Sequence, residues 1–535
     1  MPKQKTAFRF INGSIVTMDP DNPVAGEVIT QGHSIAWVGR RGDAPTEYRK
    51  ARTIDLKGRL LLPAFTDAHV HVLYWAETMR EVNLRGAMTL TEALARIRKH
   101  AAAHPGKGWL TGGELDINPW GGKWPSARDL DRAVADRPAA IMTHDAHTLW
   151  ANSTAMKKCG INSTTPDPPG GRIIRDDSGE PTGIFFESPA YRMLIDHVPA
   201  PTLRQAQSMV LDAQAHAHAK GVAALADMGM HDNLTIDAFL ALQEKGKLAL
   251  RLWKSIAKDD LDKAIKSGLR SGMGNRWIKI GSVKIFLDGA LGSQTAWMKK
   301  PYSSNKKSTG VRRLTHKEFD DLLKRASAGH VSACVHAIGD AAVREALRGL
   351  GKYRSKFPKS QPPRIEHAQL VDPADIPLFV RHGIIASMQP SHLLTDRDYA
   401  DKHWGRRARW AFACRSLWNA GVPLAFGSDV PIEPLDPIAG IGAAVYRARP
   451  EDRRGTWHPA EALNVWQAVW AFTAGAAMAA GDQGLRGQIK QGQLADLVIL
   501  DRNIFTIPAK EIFRTQVTHL FVDGHPTYRA ARDTP

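Results

Sequence analysis

Cysteine is almost absent: the 535 residues contain 3, Cys159, Cys334 and Cys414, an odd number set far apart. No pair has the spacing of a zinc knuckle or a dithiol redox motif, so the fold must stand without disulfides, and a reducing, cytoplasmic setting is expected. Long apolar runs are missing too. The most membrane-like stretch, Ala468 to Gly481, is too short for a bilayer that needs about 20 apolar residues, and a buried helix is expected there. Met1 to Phe10 lacks the apolar segment of a secretory signal, which predicts a chain that stays inside the cell. Low-complexity tracts are lacking, and 43% hydrophobic with 24% charged residues exclude the disordered and fibrous classes.

Acid is the scarcer charge, with 54 Asp and Glu against 72 Lys and Arg, for a net charge of +18. Such an excess favours anionic partners when it is concentrated. Here it is spread over short clusters: Lys299-Lys300, Lys306-Lys307, Arg312-Arg313, Arg406 to Arg409 and Arg453-Arg454. No nucleic-acid module or aromatic stacking motif surrounds them, so the reading is a solvated basic surface with no nucleic-acid and no membrane partner.

At about 150 residues per domain the chain makes roughly three domains, or one α/β barrel with insertions. Short strand patterns occupy both ends: Ala7 to Thr17, Val28 to Val38 and Ala51 to Asp55, then Leu494 to Leu500 and Val517 to Val522, with Gly492 and Gly524 as turn residues. Neither end has enough apolar surface to stand alone. Residues 1–58 and 486–535 are therefore predicted to form one β-sandwich domain.

Between them, residues 59–485 alternate short apolar segments with helical patterns, the signature of a (β/α)8 TIM-like barrel. Helix starts are marked by Thr89 with Glu92, Thr202 with Gln205 and Thr315 with Glu318, each spaced as a capping box. Eight strands are predicted: Phe65 to His71, Val222 to Met228, Leu250 to Ile256, Ile278 to Leu287, Ser332 to Ala337, Arg364 to Gln369, Ile384 to Gln389 and Leu424 to Asp429. Two further strand patterns, Leu110 to Glu114 and Ala139 to Thr143, fall in a large insertion after the first barrel strand, roughly residues 75–220. It carries Trp109, Trp120, Trp124 and Trp150 amid frequent Pro and Gly. It reads as a lid whose indoles line an apolar pocket, or as a small subdomain that packs them.

The sharpest motif is Phe65-Thr66-Asp67-Ala68-His69-Val70-His71. Residues two apart on a strand face the same side, so His69 and His71 can approach one metal ion. Alone, His-x-His is a weak signal. His336, His367 and Asp429, however, also stand where apolar strands meet their following loops, the rim where barrel enzymes place their chemistry. Lys284 is a cation inside the apolar run Val283 to Phe286, a costly position unless it is paired, deprotonated or modified; Asp288 is a candidate partner. Counting strands puts Lys284 on the fourth, His336 on the fifth, His367 on the sixth and Asp429 on the eighth.

That order resembles the amidohydrolase superfamily, and nearly the whole chain is similar to its family 3 branch, the YtcJ-like hydrolases that include N-substituted formamide deformylases. The matching stretches are Pro63 to His71, Asp145-Ala146-His147 with Asn152-Ser153, Pro181-Thr182-Gly183, Lys284 to Gly292, His336 to Asp340, Glu366-His367-Ala368, Gly427 to Pro431 and Gly492 to Asp501. Ala64 and Thr66 depart from the pattern without touching a ligand position. The resemblance implies a pair of divalent cations, zinc, held by His69, His71, Lys284, His336, His367 and Asp429, with Lys284 N6-carboxylated and Asp429 as the catalytic proton shuttle. Trp109, Trp120, Trp124, His147 and Asp288 are candidate substrate-binding residues.

The implied function is metal-dependent hydrolysis of a carbon–nitrogen bond in a small amide, formamide or cyclic amide. An ester, lactone or deamination substrate would need similar machinery. A regulatory or binding protein on a retired hydrolase fold is the alternative from another class; a retired site should have lost a ligand, and none of the six is missing. The expected partner is a small-molecule substrate, and a homodimer is allowed.

Overall fold

The computed structural model describes residues 6–143, 147–229 and 233–531; Asp145 and Ala146 of the motif quoted above lie outside them. The chain divides into two compact units, residues 1–73 with 206–535, and residues 74–205.

The first unit is built on an eight-stranded parallel sheet. Its strands, in chain order, are β1 (Phe65–Val70), β2 (Val222–Asp227), β3 (Arg251–Ala257), β4 (Ile278–Phe286), β5 (Ala333–Ala337), β6 (Arg364–His367), β7 (Ile385–Met388) and β8 (Leu424–Phe426). Each strand pairs with its sequential neighbour. The sheet closes from β8 back to β1: Val70 bridges Val430, the Asp429 amide donates to the His69 carbonyl at 2.7 Å, and the His71 amide to the Val430 carbonyl at 2.9 Å. All six residues of β1 and all five of β5 are buried, as expected of a sheet covered on both faces, and this is why these segments read as continuous apolar runs.

Register sets the rim. Lys284 is level with Cys334, Phe286 with His336, His336 with Glu366, and Ala337 with His367. Polar side chains at C-terminal strand ends are thereby brought to one height.

Helix starts follow local chemistry. Thr315 and Glu318 cap the helix His316–Ala328 reciprocally, and Thr202 and Gln205 do the same before Leu203–Ala219. Thr89 makes only half of its predicted box: its hydroxyl accepts from the Glu92 amide, but the Glu92 carboxylate takes the Met88 amide instead. The stretch Ala468 to Gly481 is not one helix. Val465–Phe472 and Ala474–Ala479 are separated at Thr473, whose hydroxyl turns back to the Val469 carbonyl. Among the described residues no helix is long and apolar enough to cross a membrane.

Both chain ends enter two further sheets. One holds Ser34–Gly39, Glu27–Gln31, Ala7–Ile11 and Arg52–Asp55; the other holds His525–Arg529, Val517–Val522, Leu497–Leu500, Leu60–Pro63, Ser14–Val16 and Val24–Ala25 in that order. The segment expected as one strand from Val28 to Val38 is a hairpin turning at Gly32-His33. The two sheets share one core, in which Phe8, Phe10, Val28 and Ile35 meet Leu61, Leu497, Ile499 and Phe521. Arg251, at the start of β3, is buried against this region and forms ion pairs with Asp496 at 2.8 Å and Asp523 at 3.2 Å.

The second unit has its own six-stranded sheet, ordered Arg172–Arg175, Pro181–Phe186, Thr148–Ala151, Ala139–Thr143, Leu110–Leu115 and Val82–Asn83. Within the helix Leu203–Ala219, residues from Ala206 onward belong to the barrel unit.

Candidate metal centre

Strand β1 delivers His69 and His71 to the rim, and a buried carboxylate fixes the first of them. His69 Nδ1 lies 2.7 Å from Glu366 Oε2, and Glu366 in turn pairs with Arg364 at 2.7 Å. Burial would raise the Glu366 carboxyl, but Arg364 and His69 outweigh it and hold it down to about 2. With Nδ1–H donated to that carboxylate, His69 presents its Nε2 lone pair to the cavity. Burial, reinforced by the Lys284 charge, pushes the imidazole down to about 4, so it is neutral at physiological pH.

His336 is held by the opposite nitrogen, its Nε2 donating to the Gly289 carbonyl at 3.1 Å while the ring stacks on Phe286. Burial pushes it down to about 3. His367 lies between the two, with ring centroids 4.8 Å from His69 and 4.4 Å from His336; burial holds it well below the usual histidine range. Its backbone is left-handed, with φ 72°, as is that of Asp429, with φ 63°. Non-glycine residues rarely adopt this conformation, and here both stand at strand ends facing one cluster.

Asp429 completes the group. Burial would raise its carboxyl, yet the surrounding imidazoles, His69 and His71 foremost, hold it well below the usual carboxylate range. Its Oδ1 lies 3.1 Å from His71 Nε2 and 3.5 Å from His69 Nε2 without hydrogen-bond alignment. The close approach of β8 to β1 depends on Gly427, where a Cβ would fall 2.5 Å from the His69 amide nitrogen. Asp67 anchors the same junction, accepting from the amides of His69 and Ser428. Lys284 Nζ is 3.4 Å from His69 Nε2. Burial pushes its ammonium down, opposed by Glu366, so the neighbours of this lysine are His69 and Glu366.

The six predicted ligand positions thus meet around one cavity of about 270 Å³, near the small end of the roughly 300–1,000 Å³ of small-molecule sites. Phe286, Leu291, Ile338 and Ile432 form its apolar wall. Ligand atoms of His69, His367 and Asp429 lie within 4.8 Å of one another. His367 Nδ1 and Asp429 Oδ1 are buried with no hydrogen-bond partner among the described residues. Neutral imidazoles converging on an ionised carboxylate, with donor atoms left open, suit a divalent cation.

Asp288 does not face this cavity. It accepts from the amides of Trp297, Ile338 and Gly339 and approaches His336 Nε2 at 3.5 Å, so it holds the loops that carry His336 instead of pairing with Lys284. Burial pushes its carboxyl up to about 7. Trp109, Trp120, Trp124 and His147 belong to the second unit. Trp120 donates to the Ala87 carbonyl, Trp124 meets Phe186 edge to face, Trp109 packs on a core that includes Phe185, and His147 pairs with Glu187 on the surface.

Sequence reasoning passed over three contributors. Asp227 accepts from the Val72 amide and pairs with Lys254 at 2.7 Å, holding the chain just beyond His71. Gln369 donates to Asp396 at 2.6 Å on the cavity wall. His392, in the turn Pro390–His392 after β7, also lines the cavity. Of these, the histidine was visible in the sequence, but it stands beyond the strand end that flags the others.

The amidohydrolase family model matches residues 52–528. YtcJ of Bacillus subtilis (strain 168), named as an amidohydrolase, is 28% identical over 96% of this chain and 98% of its own. N-substituted formamide deformylase of Arthrobacter pascens is 25% identical over 97% and 98%. The crystal structure of an uncharacterized metal-dependent hydrolase from Pyrococcus horikoshii OT3 superposes with a TM-score of 0.80, at 26% identity, over 94% of this chain and 99% of that one.

Proposed function

The chain belongs to the amidohydrolase family, and on that premise we propose that it hydrolyses the carbon–nitrogen bond of a small amide, formamide or cyclic amide at a divalent-cation site. The observation that carries this reading is the meeting of His69, His367 and ionised Asp429 within 4.8 Å, with open donor atoms. His69 and His71 would hold one cation and His336 and His367 a second, and Lys284, as its carbamate, would complete the set with Asp429. Zinc suits the nitrogen-rich set. When bound, such cations supply water that ionises near neutral pH and a Lewis acid for the carbonyl oxygen.

The remaining steps fall to the chain's own side chains. Asp429, kept ionised by its imidazole neighbours, takes the proton of the attacking water and passes it to the departing nitrogen. Glu366 fixes the His69 tautomer. The apolar wall of Phe286, Leu291, Ile338 and Ile432 receives the substituent of a small substrate and excludes bulk water.

The test is hydrolysis of a panel of formamides, N-substituted amides, cyclic amides, esters and lactones, with metal content measured on the same preparation. Turnover of a C–N substrate that chelation abolishes is the expected result. Metal-free protein that hydrolyses the panel undiminished would overturn the proposal, and turnover of esters alone would redirect it.

A further inference from the structure

His392 has no place in the ligand set, yet it is built into the same cavity. Its Nε2 is buried and has no hydrogen-bond partner among the described residues. A buried polar nitrogen is normally satisfied, so its partner is expected to be a molecule that enters the cavity. It is not one of the atoms that converge: its ring centroid is 6.2 Å from that of His367, against 4.8 Å and 4.4 Å for His69 and His336. The two oxygens of Asp429 divide the site. Oδ1 faces His69 and His71, whereas Oδ2 faces His392 Nε2 at 3.6 Å, too far for a hydrogen bond between them.

We propose that His392 is a further catalytic residue, whose Nε2–H donates a hydrogen bond to the oxygen of the reacting carbonyl as it becomes an oxyanion. The inference rests on the amide-hydrolysis reading above. The water oxygen bonds to the carbonyl carbon and its proton goes to Asp429; the C–N bond then breaks and the nitrogen leaves with that proton. His392 transfers no proton. The two oxygens of one tetrahedral carbon are close enough for groups 3.6 Å apart to reach one each, Asp429 Oδ2 the former water and His392 the former carbonyl. The turn Pro390–His392 fixes the ring from a different strand end than any ligand, so the donor is in place before substrate arrives.

The experiment compares the metal-loaded full-length parent with His392→Ala and His392→Gln in three measurements: metal content, calorimetric binding of methylphosphonate as a tetrahedral anion, and hydrolysis of the amide panel. His392→Ala should keep its metal, bind methylphosphonate at least about 10-fold more weakly and lose about 10²- to 10³-fold in kcat/KM, the usual cost of one oxyanion donor. His392→Gln, which retains an N–H donor, should recover part of both losses. Loss of metal from both variants would make His392 a ligand and overturn the proposal. Methylphosphonate affinity unchanged in His392→Ala, no methylphosphonate binding by the parent, or failure of both variants to fold would overturn it as well. A parent that loads metal but hydrolyses no amide refutes the proposed function, while the methylphosphonate comparison still decides His392.

Discussion

The carboxylate of Glu366 grips Nδ1 of His69 at 2.7 Å, joining the first barrel strand to the sixth at the level of the candidate ligands. Glu366→Gln keeps the shape but removes the charge that holds His69 in one tautomer. Metal affinity should fall about 10- to 100-fold, the usual effect of losing such a partner. Competition with a calibrated chelator reads it directly; unchanged affinity would reduce Glu366 to a packing role.

Asp429→Asn separates ligation from proton transfer. The amide retains an oxygen but cannot accept a proton at neutral pH, so kcat should drop about 10²- to 10⁴-fold while most of the metal remains. Near-normal turnover on a preparation of measured metal content would remove Asp429 from the proton path.

Arg251 offers a test of how the barrel is tied to the terminal sheets. Arg251→Met leaves the buried carboxylate of Asp496 without its paired cation, while Asp523 keeps Arg276 at 3.0 Å, and should cost about 3–5 kcal/mol at neutral pH. Burial would raise the Asp496 carboxyl, but Arg251 holds it below its ordinary value in the native protein. The stability it contributes is therefore present above the unfolded carboxylate pKa and lost as pH falls through the lower folded value. The gap between parent and variant in urea unfolding should accordingly persist from pH 7 down to the ordinary aspartate value of 3.8 and narrow only as pH falls below it. A gap independent of pH would point to lost packing alone.

Removal of residues 486–535 takes away Leu497–Leu500, the strand between Val517–Val522 and Leu60–Pro63, and both partners of Arg251. The shortened chain should show no cooperative thermal transition at the temperature of the parent. Full thermal stability would mean that the two ends do not depend on one another.

The barrel was readable because its strands are buried on both faces and so appear as apolar runs, and because histidines stand at or beside the ends of β1, β5 and β6, a lysine stands inside β4 and an aspartate follows β8. The same rule hid His392: β7 closes on Met388, and the histidine follows in the turn beyond Gln389. Glu366 looked like a neighbour of His367, since nothing in the sequence says that its carboxylate meets His69. Asp288 was misread for a related reason. Its work is to collect three backbone amides from distant loops, and backbone partners leave no signature in side-chain spacing. In the second unit, the sequence left the indoles between a pocket lining and a local core, and Trp150 takes the second role, donating to the Ser126 carbonyl from a fully buried position.

The hydrogen bond from Asp429 to the His69 carbonyl also orders events in time. Synthesis releases His69 and His71 early, and the strand that carries Asp429 only after most of the chain has left the ribosome. Until that strand arrives the bond that closes the rim at His69 cannot form, and Leu61 and Leu62 still lack the later strand Leu497–Leu500 that pairs with them. A site that needs both strands can therefore be completed only after the later one has been made, so closure of the barrel belongs to the maturation of this protein as much as to its architecture.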